Sequence, residues 1–105
     1  MPTDRPAPSD PGLLILMSLA GGAKHGYAIM KDIETFAGLS LGAGTLYGAL
    51  ARLEQRDQIE ALESDEPRRR PYRLTAAGRS GLEAQLVAME SWARTARLRL
   101  AAATS

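Results

Sequence analysis

Apolar residues recur along the chain with periods that change from segment to segment, and each change marks an element boundary. The run LLILMSLA, Leu13 to Ala20, is apolar nearly all round, which predicts a first helix to about Ala20 that is buried on most faces. Ser9 or Asp10 is placed to cap it, with Pro11 in the first turn, where a missing N–H costs nothing. GGAKHG breaks this helix. A second helix, about Gly26 to Ala37, sets Tyr27, Ile29 or Met30, Ile33 and Phe36 on or near one face, with Lys31, Asp32 and Glu34 outward. Gly38 ends it, and LSLG turns the chain into a third helix, AGTLYGALARLEQR. There Leu46, Leu50 and Leu53 form the core stripe, and Gly44, Thr45, Gly48, Ala51, Arg52 and Gln55 form the opposite face.

The period then shortens. QIEALES is compatible with a strand, and YRLT alternates Tyr72 and Leu74 with Arg73. Together they predict a β-hairpin whose long tip carries the acids and arginines of ESDEPRRRPYRLT, Glu63 to Thr75. Thr75 caps a last helix that runs almost to the C-terminus. In it Leu82, Leu86, Met89, Ala93, Ala96 and Leu100 step by alternating fours and threes, a narrow seam of the kind that pairs helices across a dimer. The alternative is an ordinary terminal helix lying on Leu13 to Leu19. The order helix, helix, helix, hairpin, long helix predicts a mainly helical winged helix-turn-helix of α+β class. Residues 1–9, rich in proline, form a disordered tail; residues 10–75 form the winged domain; residues 76–105 form a dimerisation helix.

Composition narrows the chemistry. With 105 residues and 45% apolar content, the chain has room for one domain, and a domain this small gains from borrowing core from a second subunit. It has no cysteine and one histidine, which leaves no thiolate chemistry and little basis for a metal site, so no cofactor is expected. Leu13 to Ala20 is too short to span a bilayer, and Asp4, Asp10 and Pro11 around it argue against a secretory leader, so the expected location is cytoplasmic. The carboxylates are scattered on polar faces and GAGTLYG lacks the lysine of a phosphate-binding loop, which argues against an enzyme. Net charge is only +1, so affinity for nucleic acid has to come from local placement of arginine.

Two helices joined by a short turn, the second with a small-residue outer face, have the geometry of a helix that enters a major groove. Glycine inside a helix costs about 1 kcal/mol against alanine, so Gly44 and Gly48 on one exposed face call for a reason, and close approach to another surface supplies one. Thr45 suits a phosphate or base edge and Arg52 a phosphate. The hairpin tip with Arg68, Arg69 and Arg70 forms a wing that reaches a phosphate backbone or minor groove. A plain solvated face, and a turn in which Asp65 and Glu66 neutralise the arginines, are the bland alternatives.

HGYAIMKDIE, then GTLYGALARLEQRDQIE, then RRRPYRLT followed by AAG resembles the PadR family of bacterial winged-helix transcriptional regulators, over about Leu13 to Leu100. The single terminal helix is similar to the short-tailed subgroup. The resemblance implies a homodimer that binds a pseudo-palindromic operator in double-stranded DNA as a repressor and is released by a small molecule. It implies that Ala43, Gly44, Thr45, Tyr47, Gly48 and Arg52 form the recognition surface, with Tyr47 and Arg52 on phosphate, and that Arg68 to Arg70 form the wing. His25 and Tyr27 open the second helix, with Tyr27 mostly structural or with its hydroxyl near the DNA backbone. ESWAR, Glu90 to Arg94, is similar to a segment of multidrug-binding members, which implies that Trp92 sandwiches a planar aromatic effector, with Leu13 and Leu16 as walls. The chain departs from the family pattern at Asp57 and Gln58, where a glycine is usual, so that turn is expected either to hold an αL aspartate or to be slightly re-routed. It departs again at Pro71, expected to shorten the pairing of the second strand, and at Gly42, expected to weaken a helix cap slightly. A winged-helix module that binds a protein, or a ligand-sensing dimer without a DNA target, remains the alternative function.

Overall fold

The computed structural model describes residues 10–66 and 69–104; the tail at residues 1–9 and Arg68 of the wing lie outside the described residues. Helix α1 (Pro11–Leu19) opens as its sequence demands, with extended Asp10 accepting the Gly12 N–H at 2.9 Å and Pro11 in the first turn. Its C-terminal end is tied down by polar groups. Lys24 donates to the Ser18 carbonyl, and buried Ser18 donates its hydroxyl to Asp32 at 2.7 Å.

The break after α1 holds a strand that the hydrophobic pattern did not reveal. Gly22, at φ 137°, makes the turn, and Lys24–His25 follow as β1. Two residues are too short to show a period, and their partner is far along the chain. His25 then caps α2 (Gly26–Ala37), its Nδ1 accepting the Ala28 N–H at 3.3 Å. Ile29 and Ile33 are fully buried as expected, but Tyr27 and Phe36 are not core residues: Tyr27 is 63% exposed and Phe36 is 47% exposed. Tyr27 lies two positions from Ile29, about 200° around a helix of 3.6 residues per turn, so it points outward, where Lys31 Nζ stands 5.9 Å from its ring. Gly38 ends α2 in the left-handed region at φ 69°.

Helix α3 (Ala43–Gln55) starts at Gly42 without a side-chain cap and buries Leu46, Ala49, Leu50 and Leu53. Its exit runs through Asp57 at φ 60°, so aspartate does take the left-handed position expected of it. Strands β2 (Ile59–Ala61) and β3 (Pro71–Leu74) form the hairpin, and the antiparallel order is β1-β3-β2, with the returning strand in the centre. Pro71 belongs to that strand, but the ladder with β2 stops one residue short of it, at Ala61 opposite Tyr72. Pro71 pairs with His25, and its carbonyl accepts the Leu62 N–H at 2.7 Å, while a first-residue proline loses no ladder donor from the strand interior.

Thr75 joins hairpin to helix. Its N–H donates to the Gln58 carbonyl at 3.1 Å, its hydroxyl donates to the Asp57 carbonyl at 2.6 Å, and the same hydroxyl accepts the Gly78 N–H at 3.0 Å. One side chain thus caps α4 (Ala76–Thr104) and fixes the turn after α3. Gly78 lies hard against that turn: a Cβ there would overlap the Gln58 carbonyl oxygen and stand 2.8 Å from its carbon. The result is a winged helix-turn-helix around one cluster, Leu14, Ile15, Leu16, Leu19, Ile29, Ile33, Leu46, Leu50, Leu53 and Ile59 among its members. Helix α4 adds Leu82 to that core and then leaves it. The radius of gyration is 16.1 Å, against about 13 Å for a compact domain of this size, because the helix projects as an arm.

Since a backbone carbonyl cannot move aside as a side-chain tip can, Gly78→Ala is expected to cost about 3 kcal/mol or more, at the upper end of overpacking penalties. Urea unfolding of the variant checks this; a cost below about 1 kcal/mol would show that the junction is slack.

Candidate nucleic-acid interface

The turn Gly38–Gly42 sets α3 behind α2 and turns one α3 face outward. Ala43, Gly44, Thr45, Tyr47 and Arg52 are exposed on it and Gly48 is half-buried. A Cβ at Gly44 would meet nothing within 4 Å, and one at Gly48 only the tip of Arg52, at 3.6 Å. Neither glycine is required by its own chain. At Gly26, by contrast, a Cβ would stand 2.5 Å from the Tyr47 hydroxyl and 2.9 Å from its ring carbon Cζ. The Tyr47 ring therefore lies over the start of α2 and holds the two helices together. That packing is a structural role the residue was not expected to have, although 47% of Tyr47 stays exposed beside the outer face.

Tyr72, in the central strand, was missed as part of this surface. Burial pushes its phenol up from the ordinary value, and the nearby Glu54 carboxylate and Tyr47 push the same way, while Arg70 opposes them. The ring thus sits where α3 meets the wing and stays neutral at physiological pH. The motif YRLT flagged it as a strand residue, and only the fold brings Glu54 and Tyr47 to it.

On the wing, Arg69 and Arg70 are exposed. Arg69 Nε lies 3.8 Å from the Glu66 carboxylate, with both side chains largely in solvent. A pair this open is worth about 0–1 kcal/mol, so it does not lock the arginine away from a stronger anion. Arg73 is committed elsewhere: it bridges to Glu60 across the strands at 3.0 Å. The one histidine is a helix cap, as described above, and among the described residues no cluster of histidine and carboxylate suited to a metal occurs.

The arm is arranged differently from the seam read in the sequence. Leu82 is 4% exposed and belongs to this chain's own core, so the open stripe begins at Leu86 and continues through Met89, half-buried Ala93, Ala96 and Leu100. Leu16 is 2% exposed and cannot wall an effector site, while Leu13 is half-buried at the edge of the core. Trp92 stands 68% exposed on α4, above a shallow face made with Thr95, Ala96, Arg99 and Leu100. Within one chain, Trp92 and the expected walls do not come together. No helix among the described residues is long and apolar enough to cross a membrane.

Comparison with known proteins gives a consistent result. A sequence model described as the transcriptional regulator PadR-like family matches residues 15–84. A solved PadR family transcription regulator from Clostridium difficile R20291 is similar, with a TM-score of 0.78 and 29% identity over 86% of this chain and 97% of that one. A transcriptional regulator from Clostridium thermocellum matches with a TM-score of 0.68 and 32% identity, covering 84% of each chain. An uncharacterized 37.1 kDa protein in transposon Tn4556 of Streptomyces fradiae is 48% identical over 81 residues, 77% of this chain; the chain spans only 23% of that relative's length.

Proposed function

Because the chain belongs to the PadR-like transcriptional regulator family, we propose that it is a homodimeric DNA-binding repressor whose α3 enters the major groove of a pseudo-palindromic operator. The observation that carries this reading is the pair of glycines on α3. Gly44 and Gly48 have no reason inside the chain, yet they flatten the one helix face that the wing arginines flank. A surface without side chains lets a backbone come close to base edges, and Thr45 and Arg52 at its border suit base and phosphate. Arg69 and Arg70 extend the cationic border, and Arg68 belongs to the same wing sequence.

The arm supports dimerisation. Leu86, Val87, Met89, Trp92, Leu98 and Leu100 are all exposed on α4, more apolar surface than a lone helix keeps in water. Pairing with a second copy through the Leu86–Leu100 stripe covers Leu86, Met89 and Leu100, leaves Val87 and Leu98 on the far side of the helix, and spaces two α3 helices for successive half-sites, about one DNA turn of 10 base pairs apart. The proposed effector is a small planar aromatic molecule stacked on Trp92, with Leu13 of α1 at the rim. Action in the cytoplasm follows from a DNA target.

Replacing Arg69 and Arg70 by alanine is expected to weaken binding to all duplex sequences and to flatten the plot of log affinity against log salt by about 2, one unit per phosphate contact. An unchanged slope in filter binding or anisotropy titrations sinks the wing assignment, and the absence of any salt-sensitive DNA binding by the parent protein turns the reading toward a protein-binding module. Gly44→Ala separates function from folding: thermal stability is expected to hold or rise by about 0.5 kcal/mol, while operator affinity falls at least tenfold. Trp92, the only tryptophan, reports the effector directly. Planar dyes are expected to quench its emission saturably, and a flat titration removes the effector site without touching the DNA reading.

A further inference from the structure

A second feature lies on the opposite flank of α3 from the wing. The first turn of α1, the last turns of α3 and the body of α4 enclose a cleft of about 110 Å³ whose walls are mainly polar. Arg52 and Arg56 line it from one side, Gln58 from the turn after α3, Gln85 from α4 and Asp10 from α1. The volume is a few times the share of about 30 Å³ that a water takes in the liquid. It is well below the roughly 300 Å³ at which pockets for organic ligands begin. The cleft has room for one small ion and none for a planar drug.

Its charge selects the sign of that ion. Arg52 in the last turn of α3 and Arg56 at its C-cap are four residues apart, and both line the cleft, so two like charges are brought to one place. Among the described residues the ion pairs are Lys24–Asp32, Lys31–Glu34, Arg69–Glu66 and Arg73–Glu60, so neither of these guanidinium groups has a carboxylate partner. Asp10 is the one acid facing the cleft, and its Oδ1 already accepts the Gly12 N–H at 2.9 Å. Two cations face one acid that is turned to its own helix. The glutamine amides add uncharged donors from two further directions, and Gln58 reaches toward α4, its amide nitrogen 3.5 Å from where a Cβ of Gly81 would be.

We propose that this cleft binds a small oxyanion of phosphate or carboxylate chemistry, held between Arg52 and Arg56 with Gln58 and Gln85 donating. The occupant joins α3 to α4, across the same elbow that Thr75 and Gly78 close on the other side. The proposal stands on a single chain and requires neither a DNA target nor the dimer. Two sources share the chemistry: a free oxyanion in solution, and a backbone phosphate of bound DNA reached through Arg52.

Thermal unfolding in inorganic phosphate against sodium chloride at matched ionic strength tests it. Phosphate stabilises folded proteins somewhat by exclusion, so the informative part is what Arg56→Gln removes. The expected result is a saturable rise in melting temperature with millimolar phosphate, with the apparent affinity weakened at least about tenfold in Arg56→Gln and in Gln85→Ala, as loss of a charge-assisted contact predicts. Duplex titrations in phosphate-free buffer then distinguish the sources. Unchanged DNA affinity in Arg56→Gln assigns the cleft to a free oxyanion. Weaker affinity with a salt slope lower by about one, and competition by phosphate, assigns it to the DNA backbone. If phosphate stabilises the parent no more than chloride does, or stabilises Arg56→Gln equally, the site does not exist.

Discussion

The contact on which the rest of the architecture depends is the one between the start of α4 and the turn that leaves α3. Thr75 bonds to the backbone of both Asp57 and Gln58, and Gly78 lets the α4 backbone lie directly on the Gln58 carbonyl. Three consequences follow from this one junction. The end of α3 is fixed relative to α4, because no side chain cushions the approach. Strand β3, which runs into Thr75, is held central in the sheet, so the wing leaves the body at a set angle. Asp57 stays in its left-handed conformation because its carbonyl is engaged by the Thr75 hydroxyl. A junction made of backbone groups is stiff, since its hydrogen bonds and its close contact have no rotamers to yield. Motion of α4 therefore carries α3 with it.

The surface of α3 follows the opposite principle. Where the elbow removes a side chain to pack backbone on backbone inside the molecule, α3 removes side chains at Gly44 and Gly48 facing solvent, at a cost in helix propensity and with no internal gain. The face is bordered by groups that are anchored: Tyr47 against Gly26, Tyr72 beneath it near Glu54, and β1 and β3 behind. A flat strip with two packed aromatic rings along one side presents a defined shape. Arg69 on the wing beyond it is only weakly engaged by Glu66, so its charge remains available to a phosphate that offers more than an exposed carboxylate does.

Much of this was legible in the sequence because it is local. The helix bounds of α2 and α3 and the Asp10, Gly38 and Thr75 caps each depend on residues within a turn of one another, whereas the left-handed Asp57 was expected only from the family pattern and is held by Thr75, 18 residues on. What escaped depends on distant partners. Strand β1 exists only because β3 returns beside it, and two residues carry no period of their own. Tyr27 looked like a core residue because an aromatic near Ile29 fits an apolar stripe at low angular resolution; the observed phase places it outside. Leu82 and Leu86 are neighbours in one heptad pattern, yet the domain ends between them, and a repeat cannot say where one core stops and another begins. Gly26 and Gly78 both appear in quoted motifs, but the reasons for them, a ring from α3 and a carbonyl after it, are visible only in three dimensions.

That boundary within α4 has an energetic consequence. The helix is 29 residues long, yet it buries only Gly78 and Leu82 in its own domain. Most helical stability in a protein comes from packing an apolar face rather than from intrinsic propensity, and the arm beyond Leu86 packs little of its surface on its own chain. Burying a leucine-sized side chain contributes about 1.5–3 kcal/mol, and Leu86, Met89 and Leu100 stand ready to be covered. If a second copy covers them, as proposed, the helix forms fully only in the assembled state, and its order depends on protein concentration. Because the elbow transmits the position of α4 to α3 without a hinge, in the proposed dimer whatever fixes the arm also fixes the spacing of the two α3 surfaces. Assembly and recognition are then two readings of a single rigid connection, set by a threonine, a glycine and the carbonyl between them.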